Sequence, residues 1–215
     1  MEIKIFEFNP LGVNTYVLHD ETRECVIVDA SCLFGSEREE LRKYIEDNEL
    51  VVKHLINTHL HFDHIFGANF VERKFDVKME CHADDLFLLD NIDDQLSRFG
   101  ISAGDEAGER PEVGRLLNEG DVVTFGNSEL NVLHVPGHSP GSVVFYSEKD
   151  GCMFCGDVLF WGSIGRTDLP GGSYEQLVEG IKRKLLVLPD DTKVYSGHGP
   201  HTTIGYERVN NPYLS

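Results

Sequence analysis

Four side chains able to bind a metal ion stand within six positions in Thr58-His59-Leu60-His61-Phe62-Asp63-His64. With ten His and 37 acidic residues among 215, the pattern His-x-His-x-acid-His arises by chance in about 0.4% of such chains. Alternate side chains of extended backbone share a face. His59, His61 and Asp63 therefore project together at a strand end, and His64 points elsewhere, into the start of the next helix. One tetrahedral zinc ion cannot use all four donors and keep a position open for water, so the surplus points to two ions. Further donors must come from distant chain, and three candidates follow expected strands: His138 in Gly137-His138-Ser139-Pro140-Gly141, Asp157 in Gly156-Asp157, and His198 in Gly197-His198-Gly199-Pro200. Each follows a glycine, which suits a tight turn. A carboxylate can bridge two ions about 3.5–4 Å apart, and Asp157 is assigned that role.

The elements that must carry these residues are short. Residues 3–8, 15–18 and 25–29 are β-branched and aromatic runs separated by turn chemistry such as Asn9-Pro10-Leu11-Gly12. Ser36-Glu37-Arg38-Glu39 reads as a capping box, with Leu41, Tyr44 and Ile45 as the apolar stripe of the helix behind it. A strand at 54–57 runs into the histidine cluster, followed by a helix at 65–74 and a strand at 77–81. Residues 83–119 are acidic and weakly periodic, and read as one or two short helices plus a long surface loop. Strands return at 122–125, 129–134, 143–147 and 152–155. Ser173-Tyr174-Glu175-Gln176 is a second capping box before a helix carrying Leu177, Val178, Ile181, Leu185 and Leu186, and a last strand lies at 193–196. Two β-rich halves, each with helices, predict sheets inside and helices outside. No linker divides them.

Composition narrows the partners. Nineteen basic against 37 acidic residues leave a net charge of −18, which repels polyanions, so nucleic acid and anionic membrane surfaces are expected to be excluded. No apolar run reaches the roughly 20 residues that span a bilayer. Met1-Glu2-Ile3-Lys4-Ile5-Phe6-Glu7 lacks the apolar core of a signal peptide. Five cysteines at irregular spacings (25, 32, 81, 152, 155) do not form a disulfide framework. A reducing, cytoplasmic setting is the expectation, with no sign of an obligate protein partner. Two motif matches are set aside. Gly137-x-Ser139-x-Gly141 fits a nucleophile elbow, but a strand rather than a helix is expected after it. Cys152-x-x-Cys155 lies in an expected strand, which sends the two thiols to opposite faces.

His59-x-His61-x-Asp63-His64 followed by His138, Asp157 and His198 resembles the metallo-β-lactamase superfamily, from about residue 3 to the C-terminus. The resemblance implies an α+β fold, an αββα four-layer sandwich over a single domain (1–215), with metals at one edge of the sheets. It implies a first metal on His59, His61 and His138, a second on Asp63, His64 and His198, and Asp157 between them. Asp29, in Ile27-Val28-Asp29-Ala30, matches the superfamily's first motif, which supports the ligand loop without binding metal. Gly156-Asp157-Val158-Leu159-Phe160 with Gly165-Arg166-Thr167-Asp168 is similar to the glyoxalase II and persulfide dioxygenase branch. The segment from Gly197 to Leu214 is similar to short bacterial glyoxalase II-like hydrolases. Full-length glyoxalase II adds a helical domain that contacts glutathione; this chain runs seventeen residues past His198, so those contacts are expected to be missing.

The activity expected from this resemblance is hydrolysis of a small-molecule thioester, such as an S-hydroxyacyl thiol, by metal-bound hydroxide in a dinuclear site. Bound zinc lowers the pKa of water to about 7, and Asp63 is the catalytic residue expected to orient the hydroxide or take its proton. A thiolate leaves without a proton, which favours thioesters over amides. Two divalent ions are expected, zinc first, with iron or manganese as alternatives. Arg166 is a candidate to hold a substrate carboxylate, against the competing reading of an ion pair with Asp168. The alternative functions are a persulfide dioxygenase-like oxidoreductase with one iron on His59, His138 and Asp157, and a lactone or β-lactam hydrolase on the same site.

Overall fold

The structure, a computed structural model, describes residues 1–90, 92–98, 100 and 109–214. The parts of the expected 83–119 loop at 91, 99 and 101–108 lie outside the described residues. Six strands form the first sheet in chain order: β1 (Glu2–Phe8), β2 (Val13–His19), β3 (Glu24–Val28), β4 (Val51–Ile56), β5 (Met79–Cys81) and β6 (Val113–Leu116). The first three pair antiparallel and the rest parallel. Parallel neighbours need crossovers, and these carry α1 (Gly35–Asp47), α2 (Ala68–Phe75), α3 (Leu86–Leu89) and α4 (Ile92–Arg98). The second half contributes β7 (Val122–Phe125), β8 (Ser128–His134), β9 (Val143–Ser147), β10 (Cys152–Gly156), the hairpin β11 (Leu159–Phe160) and β12 (Ser163–Ile164), β13 (Lys193–Ser196) and β14 (Thr202–Thr203). Its main sheet runs β14-β13-β10-β9-β8-β7, mixed through the parallel β10–β13 pair. α5 (Tyr174–Gly180), continued by a π-helical turn at Ile181–Leu185, and α6 (Ile204–Asn210) complete the chain.

Strand alternation generates three apolar layers and hence the four-layer αββα sandwich. Tyr16, Val26 and Ile56 of the first sheet meet Phe125, Phe145 and Phe154 of the second between the sheets. The opposite face of the first sheet, with Ile27 and Leu55, packs on Leu41, Ile45, Phe66 and Val71 of the α1–α2 side. The outer face of the second, with Met153 and Val194, packs on Leu177, Ile181 and Leu185. The cysteines of β10 show the period-2 rule directly: Cys152 lies between the sheets and Cys155 in the outer layer.

Some local expectations shift. Ser36 does not cap α1, which begins at Gly35 with Phe34 as the capping residue. Glu37 carries the end instead, its carboxylate accepting the backbone N–H groups of Leu33, Phe34 and Asn9. Ser173 does cap α5, accepting from the Gln176 N–H. The helix expected at 65–74 starts at Ala68, after a 3₁₀ turn at Phe62–His64. β6, within the expected loop, and β14 and α6 had no expected counterpart.

Cross-sandwich bonds fix the sheet edge where the histidine cluster sits. The Val143 N–H donates to Thr58 O (2.8 Å), joining the start of β9 to the end of β4. Asn14 donates from its backbone to Gly197 O (2.7 Å) and from its side chain to Ser196 O and Gly199 O, fixing the loop that carries His198. Asp85, fully buried, accepts from Leu60 N–H (3.1 Å), Ser139 Oγ (2.7 Å) and Gly141 N–H (2.6 Å), binding the His59–His61 loop to the His138 loop. Near the β2–β3 turn, Asp20 accepts from the Asn127 N–H (2.6 Å) and Ser128 Oγ (2.9 Å) of the β7–β8 turn. Burial alone would raise the Asp20 carboxyl, but hydrogen bonds from Thr22, Asn127 and Ser128 outweigh it and hold the group at about 2.

Two expectations follow. Asp85→Ala leaves two buried backbone donors without an acceptor, at about 1–3 kcal/mol each, so urea denaturation is expected to show a loss of about 2–5 kcal/mol; a loss below about 1 kcal/mol contradicts the clamp. Asp20 has a folded pKa below its unfolded value, so its contribution is full above about pH 4 and fades as pH falls toward 2. The stability gap between wild type and Asp20→Asn should therefore narrow from pH 5 to pH 2, and a constant gap would show that the carboxylate charge is not what matters.

Candidate metal centre

All seven donors expected from sequence reach one point on the sheet edge. His59 and His61 leave the end of β4, Asp63 and His64 lie in the 3₁₀ turn after it, His138 follows β8, Asp157 follows β10, and His198 follows β13. Ligand atoms of His59, His61 and His138 lie within 4.8 Å of one another, and so do those of Asp63, His64 and His198. Asp157 lies between the two groups. Its Oδ2 is 3.6 Å from His138 Nε2 and 3.5 Å from His198 Nε2, and its Oδ1 is 3.4 Å from His64 Nε2. The Asp63 Oδ2 lies 3.5 Å from His198 Nε2 and 3.9 Å from His64 Nε2.

On His59, His64, His138 and His198 the outer ring nitrogen is oriented by an oxygen, which leaves the inner one free to ligate. His138 Nδ1 donates to Arg166 O (2.8 Å), His198 Nδ1 to Leu11 O (3.0 Å) and His64 Nδ1 to Asp29 Oδ2 (3.0 Å). His59 Nδ1 meets Thr58 Oγ1 (3.1 Å), and His61 Nδ1 faces His138 Nε2 at 2.8 Å. The Nε2 atoms of His59, His61 and His64 and the Oδ1 of Asp157 are buried without a hydrogen-bond partner. Polar atoms buried in this way cost free energy unless something unites them. The mixed imidazole and carboxylate donor set fits one or two divalent ions.

Electrostatics agree with that fit. Burial, reinforced by the neighbouring imidazoles, pushes His61 down to about 3 and holds His59 well below its ordinary range, so both stay neutral and keep their lone pairs. Burial would raise the carboxyls of Asp157 and Asp63, but His64 beside them outweighs it and both are held down, Asp157 strongly. The centre thus presents anionic oxygens and the neutral nitrogens of His59 and His61, while on His64 and His198 the neighbouring Asp157 and Asp63 outweigh burial and raise the imidazoles above their ordinary range.

Local backbone conformation makes the convergence possible. Gly156 has φ +49°, a left-handed conformation that costs a glycine little. A Cβ at Gly197 would overlap Asp157 Oδ1 and His64 Cε1. Asp29 itself has φ +52°, and its carboxylate accepts from Thr58 N–H (2.8 Å), Thr58 Oγ1 (2.6 Å), Asn57 Nδ2 and His64 Nδ1. It supports the ligand loop from behind.

Asp85 is the residue that reading the sequence missed. No motif marks it, because its partners lie 25, 54 and 56 positions away. Ser139 spends its hydroxyl on Asp85 and Ser142, and β9 rather than a helix follows it, so the nucleophile-elbow match carries no function. Arg166 is held by Asp168 through two 2.8 Å bonds. A further group, His82, Asp84 and His134, lies outside the seven. Its two rings stack in parallel at 4.1 Å, which sets their in-plane lone pairs side by side instead of at a common point.

A cavity of about 710 Å³ opens over the donors, lined by His61, Asp63, His138, Asp157 and His198 together with mostly apolar side chains. Its size and character are those of a small-molecule site.

Comparison with known proteins places this arrangement. Residues 8–198 match the Metallo-beta-lactamase superfamily. The hydroxyacylglutathione hydrolase GloC of Haemophilus influenzae is 35% identical over 100% of this chain and 99% of its own length. The crystal structure of BLEG-1 B3 metallo-beta-lactamase superposes with a TM-score of 0.89 at 37% identity, covering both chains fully. TTHA1623 in a di-iron-bound form gives a TM-score of 0.86 at 35% identity, over 98% of this chain and 100% of that one. With the fold, the paired donor groups and these relatives in agreement, the chain belongs to the metallo-beta-lactamase superfamily and is a metal-dependent hydrolase.

Proposed function

We propose that this chain hydrolyses small-molecule thioesters of the S-hydroxyacyl class, with two divalent ions held by the seven donors. The observation that carries the reading is the position of Asp157, one carboxylate oxygen of which lies 3.6 Å from His138 and 3.5 Å from His198, so that it spans both donor groups. In this assignment His59, His61 and His138 would hold one ion and Asp63, His64 and His198 the other, with Asp157 placed to serve both. The ions would supply an activated water and polarisation of the scissile carbonyl. Zinc suits the nitrogen-rich set, and the di-iron form of TTHA1623 makes iron the first alternative.

The chain's own residues do the rest. Asp63, buried yet held anionic by His64 and His198, accepts the proton that the attacking water gives up. Asp29 and Asp85 keep the two ligand loops at fixed separation, so the donors need not reorganise during reaction. A departing thiolate needs no proton, and among the described residues the cavity lining includes no Lys or Tyr to serve as general acid. The relation to GloC, named as a hydroxyacylglutathione hydrolase, supports the same bond type.

The test is an assay of the purified, metal-loaded protein on S-lactoyl thioester, lactone, β-lactam and thiol persulfide, with metal quantified in the same sample. Expected are thioester hydrolysis, its loss on chelation, and a fall of at least about 100-fold in kcat/KM for Asp157→Ala. Full thioesterase activity in Asp157→Ala removes the bridging assignment. One iron per chain with oxygen uptake on the persulfide replaces the hydrolase reading altogether.

A further inference from the structure

We propose that the cleft selects substrates whose body is uncharged and apolar, so that a thioester of a neutral aromatic thiol is preferred over one of glutathione. This rests on the thioester reading for the bond that is cut, but the selection is a property of the cleft walls. Phe62, Phe87 and Leu88 line the cavity together with Phe160, Trp161 and Leu169. Phe62 and Leu88 belong to the first sheet's layer, and Phe160 and Trp161 to the β11–β12 hairpin that follows Asp157. Trp161 is 59% exposed at the mouth. An apolar group entering the cleft packs on the buried Phe62 and Leu88 and covers the exposed or half-exposed Phe87, Phe160, Trp161 and Leu169, removing their faces from water.

The charges on the walls point the same way. Besides the metal donors, the charged side chains among the described lining residues are Asp94 and Arg166. Both guanidinium nitrogens that face Asp168 are engaged at 2.8 Å, so this cation is already matched by a carboxylate. Asp94 is an exposed carboxylate. The remaining polar side chain, Gln95, donates to Leu88 O (2.8 Å) and accepts from Phe62 N–H (3.4 Å), so it is committed to the wall itself. Glutathione brings two carboxylates and one ammonium to this surface, on a chain of net charge −18. Among the described lining residues, a carboxylate that enters finds one cation, which it must share with Asp168 or take from it, and otherwise lies near the carboxylate of Asp94. Neither cost falls on a neutral aromatic group.

Trp161 is the sole tryptophan of the chain, so its fluorescence reports occupancy of the mouth. The metal-loaded protein is titrated with two non-hydrolysable thioethers, benzyl methyl sulfide and S-methylglutathione, and assayed in parallel on the lactoyl thioesters of benzyl mercaptan and glutathione. The expected result is at least about tenfold tighter binding of the neutral thioether, with a matching ratio in kcat/KM. Asp168→Asn, an exposed change that releases Arg166, is expected to tighten S-methylglutathione severalfold and leave benzyl methyl sulfide unaltered. Equal or tighter binding of S-methylglutathione by the unmodified protein overturns the selection. No response of S-methylglutathione to Asp168→Asn overturns the charge argument for it. Preferential binding of the neutral thioether with neither thioester cleaved leaves the selection standing and removes the thioester reading, so the two claims fail separately.

Discussion

At the edge of the two sheets, Nε2 of His59, Nε2 of His64 and Oδ1 of Asp157, all buried and all without hydrogen-bond partners, lie among the converging donors. Each group of this kind is expensive to hold away from water. Ions placed among them would convert that cost into coordination energy, which is how metal affinity and local folding become coupled. Much of the surrounding structure reads as the means of keeping these groups together. The second nitrogen of His64, His138 and His198 is bonded outward to Asp29, Arg166 O and Leu11 O, so ring rotation cannot relieve the crowding.

The sandwich supplies the rigidity. Ligand loops leave the ends of β4, β8, β10 and β13, strands from two different sheets, so the centre exists only when the sheets are in register. Hydrogen bonds from Asn14 and Tyr16 of the first sheet to Ser196 at the end of β13 set that register on one side. The Thr58–Val143 bond and the Asp85 clamp set it on the other. A polar edge stitched in this way lets the apolar layer between the sheets pack without slip, and it leaves the cleft open above the donors. Three tasks are thus divided among neighbouring groups: donors inside, anchoring carboxylates behind, and aromatic walls in front.

How much of this was legible depends on sequence distance. The His59–His64 cluster is compact enough to stand out from composition alone, and the strand at 129–134 shows its alternation plainly. His138, Asp157 and His198 are single residues after glycines, and only the cluster gave them meaning. Asp85 was invisible, because an acid in an acidic stretch looks like a solvated one until the fold brings Leu60, Ser139 and Gly141 around it. Ser36 misled for the opposite reason. Its Ser-x-x-Glu pattern is good capping chemistry, but Glu37 found the helix end two residues earlier and took three backbone donors. β6 and β14 escaped because strands of two to four residues acquire their identity from the neighbour they pair with.

The proposed pair of ions is tested most directly by anomalous diffraction from crystals of the active, purified protein. Two peaks about 3.5–4 Å apart are predicted, one against His59, His61 and His138 and the other against Asp63, His64 and His198, with Asp157 between them. A map without peaks at that point, recorded from protein that retains its hydrolytic activity, would contradict the account.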